Sequence, residues 1–149
     1  MRGHATTMAL GQPWQQYLRA YLERTPRPLV AILGPTASGK TGFSIDASAF
    51  LRSVGKAGEV INADSRQLYH HLDIGTAKIR EEEMESVPHH LFSLLDPKEP
   101  VTVAWYKGHT ERTIIDVQSR GGVPMLVGGS MLYLSAIIDG LEPLPTVDP

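Results

Sequence analysis

One stretch limits the possible folds of this chain more than any other. Residues Gly34 to Thr41 read GPTASGKT, which fits the pattern G-x-x-x-x-G-K-[ST]. A short apolar run, Leu29 to Leu33, precedes the stretch, and Gly42 to Ala47 follow it, so the context is strand, loop, helix. Such a loop turns backbone N–H groups inward around phosphate oxygens, where the helix N-terminus adds partial positive charge. The stretch predicts an α/β domain that binds a phosphorylated ligand.

All eight residues of the loop are candidates for contact with phosphate. They are Gly34, Pro35, Thr36, Ala37, Ser38, Gly39, Lys40 and Thr41. Lys40 supplies a full positive charge, and the hydroxyl of Thr41 suits a Mg²⁺ ligand. The alternative is a glycine-rich turn that binds nothing.

Composition sets outer limits on function. The chain has 149 residues, 42% hydrophobic and 20% charged, which is enough for one domain with a buried core. Its formal net charge of −2 gives no global basic field, so a nucleic acid would need a local patch or further protein. The absence of cysteine excludes disulfides and thiolate metal sites and fits a reducing cytosol. Since no apolar run approaches a membrane span and the first residues lack a secretory signal, we expect a cytoplasmic protein without a membrane partner.

The chain divides into an N-terminal extension, residues 1–28, and a phosphate-loop domain, residues 29–149. Within the extension, apolar and aromatic residues recur at helical spacing and predict a short amphipathic helix: Trp14, Tyr17, Leu18, Tyr21 and Leu22. This helix could pack on the domain itself, face a partner or act as an organelle-targeting segment.

The domain reads as alternating strands and helices, which predicts a parallel sheet flanked by helices. A helix after the loop should run to about Arg52. The remaining expected elements are a second strand (Glu59–Ala63), an acidic helix (Glu81–Ser86), a third strand (His89–Leu95), a helix from the cap Thr102 to near Gly121, a fourth strand (Val123–Val127) and a helix (Met131–Ile138). Four strands are few for such a domain, so we expect an open sheet edge, exposed apolar surface and self-association.

Polar residues follow two of these strands. Asp64 follows the second strand, and Ser130 follows Gly128 and Gly129 after the fourth. Because ligands bind outside the carboxyl ends of strands in open parallel sheets, both side chains should face the ligand of the phosphate loop. Asp64 is the candidate general base. Its structural alternative is a helix N-cap, and the glycine turn before Ser130 could equally be a plain strand-to-helix junction.

Two further features are ambiguous. Asp96 ends an apolar run and could organise magnesium from an outer shell, although aspartate before proline more often forms a turn. The pairs His70-His71 and His89-His90 place adjacent rings on different sides of an element, which is a poor pattern for zinc, and no zinc is expected.

Five blocks together resemble the bacterial tRNA dimethylallyltransferase family. They are GPTASGKT (34–41), NADSRQLY (62–69), DIGTAK (73–78), VPHHL (87–91) and VGGSMLY (127–133). The resemblance covers about residues 29–149, and the blocks have the order and spacing of the family. It implies a phosphate-loop α/β fold that ends here before the family's helical insertion domain and C-terminal half.

The resemblance also implies a reaction. A dimethylallyl group would pass from dimethylallyl diphosphate to N6 of an adenosine beside the tRNA anticodon, with release of diphosphate. Lys40, the loop amides and Mg²⁺ near Thr41 would hold the diphosphate as the allylic C–O bond breaks. Asp64 matches the general base, and Ser130 stands where the family usually has threonine, keeping a hydroxyl for the diphosphate or the base.

The resemblance further implies contact with the tRNA anticodon stem-loop. Asp64, Ser65, Arg66, Gln67 and Ser130 match the residues that would meet a flipped adenosine and its backbone. Without the C-terminal half, we expect this chain to bind a diphosphate but to modify tRNA poorly. Two alternatives remain open at this point: a small-molecule or nucleotide kinase that uses the loop on ATP, and a non-catalytic diphosphate-binding fragment.

Overall fold

A computed structural model describes residues 14–35, 38–69, 81–84 and 86–138. The described helices are α1 (Trp14–Arg24), α2 (Lys40–Ser53), α3 (Val103–Ser119) and α4 (Met131–Ile138). The strands are β1 (Val30–Leu33), β2 (Gly58–Asn62), β3 (His89–His90) and β4 (Val123–Gly128), and two short 3₁₀ turns lie at Ser65–Leu68 and Glu81–Met84.

The four strands form one parallel sheet in the order β1-β4-β2-β3. Consecutive residues of the buried strands belong to different apolar clusters: Val60 and Met125 pack with α2, whereas Ile61 and Leu126 pack with α3 and α4. This alternation buries both faces of the sheet, as a parallel sheet requires. The α/β fold expected from the sequence is confirmed.

Helix α1 packs on the domain itself. The Trp14 ring lies edge-on to Phe43 and Phe50 of α2, at 5.0 and 5.5 Å between centroids. At the other end of the helix, the Tyr21 hydroxyl accepts a hydrogen bond from Leu29 N at 3.0 Å and lies 3.2 Å from Leu29 O. The segment thus contacts both elements that flank the phosphate loop, namely the start of β1 and the outer face of α2.

Two local expectations were wrong. The third strand runs only over His89–His90, because Leu91 and Ser93 adopt left-handed φ angles of 64° and 51° that end an extended strand. Beyond them, Leu95 forms one isolated parallel bridge with Tyr69. The chain then turns toward the 3₁₀ segment, where Leu95 N donates to Leu68 O at 3.0 Å. The acidic helix expected over Glu81–Ser86 is a 3₁₀ turn over Glu81–Met84, followed by a left-handed Ser86 with φ of 65°.

Strand β1 forms one edge of the described sheet. Large apolar side chains are exposed near its carboxyl end and at the start of α4: Leu33, Met131 and Leu132. The expected self-association through such a surface stays a prediction. Within the described ranges, no helix has the length and apolar character needed to cross a membrane.

Candidate active site

The phosphate loop joins β1 to α2, and its described residues are Gly34, Pro35 and 38–41; Thr36 and Ala37 lie outside the described residues. Gly39 precedes α2 with a φ of 87°, a left-handed conformation that favours glycine. The carbonyl of Gly39 accepts a hydrogen bond from Phe43 N at 3.0 Å and so closes the first turn of the helix. The first N–H groups of α2 have no partner within the helix and receive no side-chain cap, so they and the positive end of the helix dipole could accept an anion.

Lys40 and Thr41 occupy the first turn of α2. The Lys40 ammonium donates a hydrogen bond to Pro35 O at 2.7 Å, so the side chain folds back over the loop and its charge lies beside the loop carbonyls. Ser44 Oγ donates to Thr41 O at 2.7 Å. The hydroxyl of Thr41 has no hydrogen bond among the described residues and lines the same cleft as Lys40.

Asp64 follows β2 and caps the 3₁₀ turn Ser65–Leu68. Its Oδ1 accepts a hydrogen bond from Arg66 N at 3.0 Å. The sequence left a choice between a structural cap and a residue that faces the ligand. The structure contains the cap, and Asp64 also lines a cleft with Lys40, so its role toward a ligand stays a prediction. The capping bond restrains the orientation of the carboxylate.

Asn62 holds this segment in place and was not identified from the sequence. It is fully buried, and its Oδ1 accepts from Asp64 N at 2.8 Å. Its Nδ2 donates to Asp64 O at 2.9 Å and to Leu91 O at 3.0 Å. From the other side, the buried Tyr106 hydroxyl donates to Asn62 O at 2.8 Å, and burial raises the pKa of Tyr106 to about 12. A buried asparagine at a strand end is the signal that could have pointed to it.

The second glycine-rich turn joins β4 to α4 and contacts the Asp64 segment. Ser65 N donates to Ser130 Oγ at 3.0 Å, and Ser130 N donates to Ala63 O at 3.1 Å. A Cβ on Gly128 would lie only 2.3 Å from the carbonyl carbon and oxygen of Ala63. Through these hydrogen bonds Ser130 holds the residues around Asp64 in place. Ser130 itself lies outside the lining of the cleft.

A cleft at the carboxyl ends of β2 and β4, beside the start of α2, brings several of the candidates together. It is lined by Lys40, Thr41, Ser44, Val60, Asp64, Gln67, His89, Phe92, Val127 and Gly128. Four of these, Lys40, Thr41, Asp64 and Gln67, were site candidates from the sequence, whereas Arg66 is exposed and outside the lining. His89 and Phe92 were missed as site residues. The alternation of side chains along a strand separates His89, which faces the cleft, from His90, which hydrogen-bonds to Glu59.

Asp96 does not belong to this cleft. It is exposed, and its Oδ1 accepts a hydrogen bond from Lys98 N at 3.0 Å, as expected for a turn. The outer-shell magnesium role considered for Asp96 has no geometric support. The described residues contain no group of three or more potential metal ligands from histidine, aspartate and glutamate, and His70, His71 and the block 73–78 lie outside the described residues.

The most strongly paired carboxylate is at the opposite end of β2. Glu59 accepts two hydrogen bonds from Arg120, at 2.7 and 3.1 Å, and one from His90 at 3.0 Å. Burial alone would raise the pKa of Glu59, but these hydrogen bonds and the charges of Arg120 and His90 bring it below its ordinary value. A perturbed carboxylate often marks a functional site. Here it marks a structural ion pair at the amino end of the strands.

Comparison with known proteins agrees with the family resemblance of the five sequence blocks. Residues 67–149 match the family model described as IPP transferase. A tRNA dimethylallyltransferase from Kineococcus radiotolerans is 48% identical over 123 residues, which is 82% of this chain and 38% of that protein. Known structures agree in fold: the tRNA isopentenylpyrophosphate transferase from Bacillus halodurans superposes with a TM-score of 0.71 and 46% identity, covering 77% of this chain and 36% of the other.

A more distant structure is a eukaryotic dimethylallyltransferase acting on tRNA, with a TM-score of 0.66 and 34% identity over 72% of this chain and 26% of that one. This chain spans well under half of the length of these relatives. The resemblance carried by the five sequence blocks is confirmed, and the kinase interpretation is not favoured. The chain belongs to the IPP transferase family, whose relatives named here are tRNA dimethylallyltransferases.

Proposed function

We propose that this chain provides the diphosphate site and the general base for transfer of a dimethylallyl group to N6 of an adenosine beside the tRNA anticodon. The observation that carries the proposal is the convergence of Lys40, Thr41 and Asp64 on one cleft in a member of this family. Such a transfer requires a cation that binds the diphosphate and a carboxylate that acts as base, and both lie at the carboxyl ends of the strands.

The diphosphate of dimethylallyl diphosphate would lie in the phosphate loop. Backbone N–H groups of the first turn of α2 and the Lys40 ammonium, now 2.7 Å from Pro35 O, would bind its oxygens. As the allylic C–O bond breaks, negative charge grows on the leaving diphosphate. Groups that are already in position stabilise this charge more in the transition state than in the ground state.

The acceptor nitrogen needs help because its lone pair is delocalised into the adenine ring. N6 attacks the C1 carbon of the allylic group, the C–O bond breaks, diphosphate leaves with the bonding electrons, and one N6 proton passes to the Asp64 carboxylate. The bond from Arg66 N to Asp64 Oδ1 leaves lone pairs on both oxygens to accept that proton. The adenosine has to leave the stacked anticodon loop to reach this position.

The residues present fit a magnesium ion. Hydroxyl and carboxylate oxygens are the ligands that Mg²⁺ prefers, and Thr41, whose hydroxyl is unpaired among the described residues, lines the cleft with Asp64. Thr41 would hold the ion, which would supply charge neutralisation for the diphosphate. Segment 65–67, with exposed Arg66, would contact the tRNA. A cytoplasmic location follows from the proposed substrate.

The test distinguishes the role of Asp64 as general base from its role as cap of the 3₁₀ turn. Asp64→Asn keeps a side-chain oxygen that can cap the 3₁₀ turn, since asparagine and aspartate are equivalent N-caps. We expect unchanged diphosphate affinity and a rate of transfer lowered on the order of a hundredfold or more. The rate is measured as the gain of one C₅H₈ unit by an anticodon stem-loop, in a polypeptide of the relatives' full length in which this chain supplies the matched region.

Asp46→Asn is the matched control, because Asp46 is an exposed residue of α2 outside the cleft and the substitution removes the same charge. It should leave the rate unchanged. A normal rate in Asp64→Asn would remove Asp64 from the mechanism. Release of ADP from ATP instead of diphosphate from the allylic donor would contradict the proposed reaction.

A further inference from the structure

His89 and Phe92 share the cleft with Lys40 and Asp64, and the mechanism proposed above leaves both unused. His89 is the first residue of β3, and its pairing with Val60 of β2 fixes its backbone beside a strand that ends in the site. The rings of His89 and Phe92 lie 5.7 Å apart between centroids with an interplanar angle of 58°. Together they form an aromatic wall on the side of the cleft formed by β3.

The hydrogen bond of His89 defines which ring nitrogen can meet a ligand. Nδ1 lies 2.7 Å from Val87 O, and because a carbonyl oxygen only accepts, Nδ1 carries the proton. In a neutral ring Nε2 is then an acceptor. Among the described residues Nε2 has no hydrogen-bond partner, and it is not among the fully buried unpaired side-chain atoms. It is therefore not fully buried, and His89 lines the cleft.

The charge state of the ring is consistent with an acceptor. Burial lowers the pKa of His89, the hydrogen bond to Val87 opposes this shift, and the charge of His90 adds to it. The ring is therefore neutral at neutral pH. A neutral ring with an unpaired lone pair on Nε2 suits an N–H donor, whereas a phosphate group would require a donor on the protein.

We propose that His89 and Phe92 receive the purine base of the acceptor nucleoside, with His89 Nε2 accepting a hydrogen bond from the exocyclic amino group. The proposal rests on the proposed function and extends it to base recognition. An amino group has two N–H bonds; one proton goes to Asp64 in the transfer, and the other is free to bind Nε2. The aromatic face of Phe92 offers the stacking surface that an unstacked base requires. His89 would thus determine specificity for a base that carries an amino group.

The test compares two nucleosides and two variants. With magnesium and pyrophosphate present, binding of adenosine and of purine riboside, which lacks the amino group, is measured by NMR titration of this chain. One hydrogen bond predicts about 3- to 10-fold tighter binding of adenosine. His89→Asn places an amide near the Nδ1 position and can still donate to Val87 O, but it has nothing at the Nε2 position. We expect it to lose the preference for adenosine, whereas His89→Gln, whose amide reaches the Nε2 position, should keep part of it.

A second measurement does not depend on variants. At saturation, the ¹⁵N resonance of Nε2 in the imidazole of His89 should shift much further with adenosine than with purine riboside, because only adenosine donates a hydrogen bond to Nε2. Equal affinity for the two nucleosides, a preserved preference in His89→Asn, or an unmoved Nε2 resonance would each overturn the proposal. Pyrophosphate binding, which we expect to depend on Lys40, is measured in the same samples. Loss of pyrophosphate binding would contradict the proposed function, whereas loss of the preference for adenosine alone concerns only the purine site.

Discussion

The two glycine-containing strand-to-helix turns of this domain have different physical roles. Each turn follows a parallel strand at its carboxyl end and leads into a helix. Gly34–Thr41 follows β1, and Gly128–Ser130 follows β4. In the first turn, Gly39 is left-handed with open space around its Cα, and Lys40 and Thr41 line the cleft. This turn presents backbone N–H groups and charge to a ligand.

The second turn contacts protein instead. Gly128 lies against the backbone of Ala63, and Ser130 exchanges hydrogen bonds with the segment that carries Asp64. The difference shows that a glycine can be required by a ligand or by a neighbouring strand, and that only the surroundings tell which. We therefore expect the phosphate loop to determine ligand affinity, and the turn Gly128–Ser130 to determine the stability and position of Asp64, the proposed general base.

The largest effect is expected from Gly128→Ala. A Cβ at this position would lie 2.3 Å from Ala63 C and O and 2.9 Å from Ala63 Cα, and the backbone of Ala63, which directly follows the central strand β2, cannot move aside cheaply. We expect the free energy of unfolding to fall by about 3 kcal/mol or more. Urea unfolding followed by circular dichroism measures this change.

Gly42→Ala is the matched control. Gly42 lies inside α2, and a Cβ there would meet no atom within 4 Å. Because glycine disfavours a helix interior, this substitution should stabilise the domain by about 0.5–1 kcal/mol. If Gly128→Ala were as stable as Gly42→Ala, the turn after β4 would not be packed tightly against Ala63. The structural role assigned to Gly128 would then be wrong.

The next effect concerns affinity. Lys40→Ala removes the ammonium from the first turn, and charge-assisted hydrogen bonds of this kind correspond to roughly a 10- to 100-fold weaker binding of pyrophosphate with Mg²⁺. Because the side chain is only partly buried and its partner Pro35 O is accessible, stability should change little. Isothermal titration of this chain measures the affinity.

Lys56→Ala provides the comparison for charge. Lys56 lies just before β2, at the opposite end of the sheet, and its removal changes the net charge equally. We expect its pyrophosphate affinity to match the unsubstituted chain. Equal weakening in both variants would assign the effect to the overall field of the protein rather than to the loop.

Local patterns predicted much of this fold because they depend on residues that are close in sequence. The first helix turn after the loop, the cap at Thr102 and the buried run Val123–Val127 follow from spacing and capping chemistry, and the structure contains all three. Thr102 Oγ1 accepts from Trp105 N at 3.0 Å, as its position before an apolar helix indicates.

Several of the misses depend on contacts between distant segments. The strand expected over His89–Leu95 ends early because Leu91 adopts a left-handed conformation, in which its carbonyl accepts a hydrogen bond from the side chain of Asn62, 29 residues away. Nothing in the local sequence shows that bond. The same holds for His89, which became a site residue only when β3 was placed beside β2, and for Gly128, whose close contact is with Ala63 of the neighbouring segment.

The smallest effect is expected at Ser130. Ser130→Ala removes the acceptor for Ser65 N, a partly buried bond of 3.0 Å, and should lower the free energy of unfolding by about 1 kcal/mol. Ser130→Thr keeps the hydroxyl at a half-exposed position and should stay within about 0.5 kcal/mol of the original. If Ser130 only holds the Asp64 segment in place, pyrophosphate affinity should be equal in the original chain, Ser130→Ala and Ser130→Thr. A selective loss of affinity in Ser130→Ala would instead give the second turn a ligand contact and make the two turns functionally alike.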